Sequence, residues 1–89
     1  MSDVGRDAVS LSGHDAGRRY LVVGMENDLL LLANGKQRRL ANPKRKNRKH
    51  IRWLSAEERT DPGQMTDKRL RKRLNAVSEA SDVPNRIIN

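Results

Sequence analysis

The sequence predicts a mainly β fold: a small closed barrel of about five short strands, followed by a basic α-helical appendage. Three observations carry that reading. Short apolar runs at residues 8–11, 20–25 and 29–33 are separated by clusters of turn-forming residues, which is the spacing of strands. The runs at 20–25 and 29–33 are apolar on both faces, which suits a closed barrel better than a sheet with one wet side. Beyond Leu54 the pattern turns helical, with Leu70, Leu74 and Val77 in a narrow arc and Lys68, Arg69, Arg71, Lys72 and Arg73 around the remainder.

Taken in order, residues 8–11 set Val9 and Leu11 on one face of a half-buried strand. Gly13-His14-Asp15-Ala16-Gly17 follows as a loop whose glycines accept positive φ and whose small side chains let another chain approach the backbone. The strands at 20–25 and 29–33 form a hairpin across Glu26-Asn27-Asp28. Asn34-Gly35 is the strongest local signal, a two-residue type I′ turn, and it predicts a fourth strand over 36–40. Pro43 then forbids a central-strand position, so the basic residues 44–49 are expected as a loop and 50–54 as the last strand. Ser55-Ala56-Glu57-Glu58 fits a helix N-cap followed by acids, ended by Asp61-Pro62-Gly63. The resulting organisation is a barrel over 5–54, a linker or short helix over 55–65, an amphipathic basic helix over 66–80 and a tail over 81–89. A helix that short is marginal alone in water, so it either docks on the barrel or forms on contact with a partner.

Composition narrows the function. With 35% apolar and 34% charged residues, 89 residues allow one modest domain. The absence of cysteine removes disulfides and thiolate zinc sites, and a reducing cytoplasmic setting is the default expectation. No apolar run approaches the length of a membrane span, and the charges in the first twenty residues do not fit a signal peptide, so no membrane contact is expected. The net charge of +8 is unevenly spread: residues 44–54 hold six basic groups and no acid. That is the footprint of a polyanion binder.

Catalysis has little to draw on. His14 beside Asp15 reads as a solvated turn, His50 sits among cations where a phosphate contact suits it better than proton transfer, and no glycine-rich phosphate loop is present. No enzyme activity, cofactor, metal or small-molecule substrate is expected. Base stacking on several rings is also excluded, because Tyr20 and Trp53 are the only aromatics. Tyr20 is expected in the core, while Trp53 is either a core plug or a single stacking platform beside the basic loop. What remains is phosphate contact plus shape, through Arg38, Arg39, Lys44, Arg45, Lys46, Arg48 and Lys49.

From Gly5 to Leu54 the chain resembles small bacterial KOW-domain RNA-binding proteins, themselves similar to KOW-bearing large-subunit ribosomal proteins, the fourteenth of the eukaryote-type series among them. The likeness is carried by Val9 with Ser12-Gly13 leading into Asp15-Ala16-Gly17-Arg18, by the apolar strand from Tyr20 to Val23, by Gly35 with Arg38, Arg39 and Leu40, and by Pro43-Lys44-Arg45-Lys46 with Lys49-His50. It implies an SH3-like barrel and contact with RNA or the ribosome. Gly13, Asp15 and Gly17 match the structural KOW loop. His14, Ala16 and Asn34 depart from the arginine, lysine and aspartate common there; the first two remove charge and move the expected contact toward residues 38–49.

The expected RNA-binding set is therefore Arg18, Arg19, Lys36, Arg38, Arg39, Lys44, Arg45, Lys46, Arg48, Lys49, His50, Arg52 and Trp53. Lys68, Arg69, Arg71, Lys72 and Arg73 of the helix form a secondary contact. The expected partner is ribosomal RNA or the ribosome, with contact to a ribosomal protein as an addition. The competing class is a protein-interaction module of the translation or transcription machinery, and nonspecific DNA binding is a third.

Overall fold

The computed structural model describes residues 3–54 and 59–76. Five strands, β1 (Asp7–Ser10), β2 (Arg19–Glu26), β3 (Leu29–Ala33), β4 (Lys44–Asn47) and β5 (Ile51–Trp53), form one antiparallel sheet in the order β4-β3-β2-β1-β5. A 3-10 turn at Arg48–His50 links β4 to β5, so the strands at the two sheet margins are consecutive in the chain. A second 3-10 turn at Pro62–Gln64 leads into α1 (Asp67–Ala76). No described helix is long and apolar enough to cross a membrane.

The β2–β3 hairpin turns at Asn27-Asp28, where Asn27 takes φ +55°, a left-handed conformation that asparagine tolerates. The two-faced apolarity of β2 and β3 has a direct cause. One face packs Tyr20 and Val22 of β2 and Leu30 and Leu32 of β3 with Ala8 and Ile51, flanked by Val4 and Trp53. The opposite face packs Leu21 and Ala33 against Leu70 and Leu74 of α1, flanked by Val23, Leu40 and Met65. The docked helix accounts for the second apolar face.

The helix is docked by polar bonds as well. Arg73 grips the buried Asp7 carboxylate through Nη2 at 2.6 Å and Nε at 3.3 Å. Asp67 Oδ1 accepts the Leu40 amide at 2.8 Å, and Arg19 Nη1 donates to the Leu74 carbonyl at 3.1 Å. Thr66 caps the start, its hydroxyl accepting from the Arg69 amide at 3.1 Å. Of the alternatives for the expected helix, docking on the sheet is the one observed. The described part ends at Ala76, so Val77 and the tail lie outside the described residues, as do residues 55–58, where a short helix was expected.

Three expectations are corrected. Residues 36–40 are not a strand: the Asn34 side chain accepts from the amides of Lys36 (2.9 Å) and Arg38 (3.0 Å), and the amides of Asn34 and Gly35 both donate to the Arg38 carbonyl. These bonds fold 34–38 into a closed loop and leave no ladder to extend. Gly35 (φ +79°) owes its place to the helix, since a Cβ there would run into the Asp67 carbonyl. The strand appears instead at Lys44–Asn47, where a loop was expected, paired residue for residue with β3 from Leu32↔Lys44 to Leu29↔Asn47. His50 belongs to the 3-10 turn, and the last strand starts at Ile51.

Candidate nucleic-acid interface

The basic run is built around one acid. In β4, Lys44 and Lys46 stand opposite Leu32 and Leu30, which lie in the Tyr20 cluster, so both lysines point inward while Arg45 and Asn47 point out. Their ammonium groups converge on Asp15 of the β1–β2 loop, with Lys46 Nζ 2.9 Å from Oδ1 and Lys44 Nζ 3.1 Å from Oδ2. Ser10 Oγ and Tyr20 Oη each donate to the same carboxylate at 2.9 Å. Lys46 also donates to the Ser12 carbonyl at 3.0 Å. Burial pushes the Asp15 carboxyl up, but the four donors outweigh it and hold the group well below the usual carboxylate range. Tyr20 is pushed the other way, up to about 12, by burial first and then by the Asp15 charge.

Other cations are neutralised too. Arg45 pairs with Glu26, Arg48 with Asp3, and Arg73 with Asp7. At Asp7 burial outweighs the guanidinium, and its pKa is raised. Trp53 is half-buried against the inner cluster, and its ring carries the Arg6 guanidinium 3.8 Å from the centroid. A base would stack there only by displacing Arg6. Several residues expected to face RNA are thus occupied: Lys44 and Lys46 hold the loop, Arg73 holds the helix, Arg45 and Arg48 are paired, and Trp53 is covered.

Part of the remainder lies on the helix-bearing face. Val9 lies opposite both Arg19 and Arg52, so those two arginines flank it in one row across β2, β1 and β5. The row is on the helix side, because Asp7, two residues from Val9, is the residue Arg73 grips. Arg18, Lys36, Arg39, Lys49, His50, Arg52, Lys68, Arg69 and Lys72 are exposed, and Arg38 is half-buried. Among the described residues Arg18, Lys36 and Lys49 have no carboxylate within ion-pair distance. Arg71 spends its guanidinium on the Gly35 carbonyl at 2.6 Å, a neutral acceptor.

Four of these cations meet. A cleft of about 340 Å³ is lined by Gly17, Arg18 and Arg19 from the β1–β2 loop and β2, by Asn34, Lys36 and Gln37, and by Arg71, Leu74 and Asn75 of α1. Among the described residues no acidic side chain lines it. Gly17 (φ +89°) leaves its backbone approachable, with nothing within 4 Å of where a Cβ would stand. Sequence reasoning named Arg18, Arg19, Lys36 and Arg71 but placed them in three separate segments. It missed Asn34, Gln37, Leu74 and Asn75, whose position depends on the docked helix. Gly13, Asp15 and Gly17 do form one loop, with Asp15 as its bonded centre.

No protein-family model matches the chain, and no curated protein matches it either.

Proposed function

We propose that this chain is a non-enzymatic RNA-binding module of the KOW type, an SH3-like barrel with a docked helix, acting in the cytoplasm on ribosomal RNA or on the ribosome. The observation that carries the reading is the partition of charge. Asp15, Glu26, Asp3 and Asp7 are used on Lys44, Lys46, Arg45, Arg48 and Arg73, while Arg18, Lys36 and Arg71 converge on a cleft that, among the described residues, no carboxylate lines. Such a surface gains by neutralising phosphates and releasing counterions. The strand order, with a single 3-10 turn joining the marginal strands, suits a small barrel whose edges approach each other. The Lys44 and Lys46 bonds to Asp15 draw β4 toward the β1–β2 loop in the same sense. The contact differs from the one expected from sequence: phosphate is met by Arg18, Lys36, Lys49 and the exposed helix lysines, rather than by β4 as a whole.

Sedimentation of lysate at moderate salt, before and after nuclease treatment, tests the reading. The protein is expected to travel with ribosomal particles and to be released when RNA is digested. Retention on a protein partner after complete digestion would favour the protein-interaction class instead, and equal affinity for duplex DNA and duplex RNA would reduce the module to a nonspecific polyanion binder.

A further inference from the structure

We infer that the cleft between the β1–β2 loop and the end of α1 holds one unstacked ribonucleotide by its phosphate, so that the module prefers RNA carrying an extruded nucleotide over an uninterrupted duplex. The inference rests on the RNA-binding reading and adds the ligand's class and place. Three properties of the cleft support it.

The first is charge. Arg18, Lys36 and Arg71 bring positive charge to the cleft, and among the described residues no carboxylate lines it. Arg71 is held in place by the Gly35 carbonyl, which fixes its position without cancelling its charge. The second is size. At about 340 Å³ the cleft lies at the lower end of the range, roughly 300–1,000 Å³, that accepts small organic ligands. A lone phosphate would leave most of it to water, whereas a base with its ribose and phosphate is of the right class. A continuous A-form duplex is convex and presents its phosphates on a rigid cylinder, so it can lie across the cleft but cannot enter it.

The third is the rest of the lining. Guanidinium planes stack on bases as aromatic rings do, which lets an aromatic-poor chain receive one base. Leu74 supplies an apolar floor, and Asn75 is exposed beside it. Gln37 keeps its amide nitrogen as a donor, because its oxygen is the atom that accepts from Asn34 Nδ2 at 2.9 Å. Asn34 itself is spent inside the loop and contributes shape rather than recognition.

The test has two arms on the full chain. In the first, amide signals are followed while uridine 5′-monophosphate, adenosine 5′-monophosphate, uridine or inorganic phosphate is added. Either nucleotide is expected to move Gly17, Gln37 and Asn75, phosphate to bind at least about tenfold more weakly, and uridine to leave them unmoved. Lys36→Ser should weaken the nucleotide at least threefold with an unchanged melting temperature. Phosphate binding as tightly as nucleotide, or shifts spread evenly over the exposed cations, overturns the assignment. In the second arm, an RNA hairpin with one extruded nucleotide is compared with the same hairpin lacking it. The extruded form should bind about tenfold more tightly, and Lys36→Ser should narrow the difference. Equal binding of the two hairpins sinks the cleft assignment and leaves RNA binding standing. Nucleotide seated in the cleft with no affinity for either hairpin does the reverse.

Discussion

Lys46 stands in the middle of the basic run, yet its geometry makes it a structural residue, and replacing it separates the two roles. Lys46→Met keeps the apolar stem and deletes the ammonium that bonds Asp15 Oδ1 at 2.9 Å and the Ser12 carbonyl at 3.0 Å. Both partners of the ion pair are nearly shielded, the side chains of Lys46 and Asp15 being 9% and 2% exposed. Breaking a buried pair costs about 3–5 kcal/mol when one charge is stranded. Here Lys44, Tyr20 and Ser10 still serve Asp15, so about 2–3 kcal/mol is expected, in line with a charged hydrogen bond. For a domain this small that lowers the melting temperature by roughly 10–20 °C. Lys49→Met is the control: exposed and without a carboxylate partner among the described residues, it should change stability by no more than about 0.5 kcal/mol while weakening RNA binding. Thermal melts followed by circular dichroism, with filter binding to one structured RNA, read both. A Lys46→Met protein that melts like wild type but loses RNA affinity would refute the reasoning.

Further predictions follow from the same network and from the helix. The chain has one tyrosine, so ultraviolet absorbance reports Tyr20 alone; it should ionise near about 12, not near 10, and stability should fall as pH rises between those values. A midpoint near 10 with the fold intact would contradict the Asp15 bond. At the acid end the sign reverses. Because Asp15 is held below its ordinary pKa, its contribution is present above the normal carboxylate value near 3.9 and is lost as pH falls below it. Tyr20→Phe, by removing one donor, should move the acid unfolding midpoint upward, and an unmoved midpoint would count against the proposed balance. Leu70→Ala, at a fully buried position under the sheet, should cost about 2–5 kcal/mol by denaturant unfolding, whereas an appendage independent of the sheet would lose almost nothing.

Much of the sheet was legible in the sequence because its strands are apolar and its turns use residues with distinct backbone preferences. The runs around Val9, from Tyr20 to Val23 and from Leu29 to Ala33 appear where periodicity places them. The fourth strand was not legible, for two physical reasons. Lys44-Arg45-Lys46-Asn47 shows no apolar alternation, since its inward residues are lysines whose ammonium groups are satisfied by the distant Asp15, 31 positions before Lys46. And Asn34-Gly35, a hairpin signal by local rules, is governed by side-chain bonds that curl the backbone and by a helix that presses on Gly35. The charge itself was legible. Its cancellation was not, because pairing depends on which acids the fold brings to Lys44, Arg45, Arg48 and Arg73, so the run that looked most like an RNA contact is the part most consumed by structure.

The central claim is that Arg18, Lys36 and Lys49, exposed and without a carboxylate partner among the described residues, bind RNA phosphate. The dependence of RNA affinity on salt tests it most directly, measured for wild type and for a Lys36→Ser/Lys49→Ser double variant. Affinity should fall steeply as salt rises for the wild type, and the double variant, with an unchanged melt, should show a log–log slope shallower by about one to two. A wild-type affinity indifferent to salt, or an identical slope for the two proteins, would contradict the account.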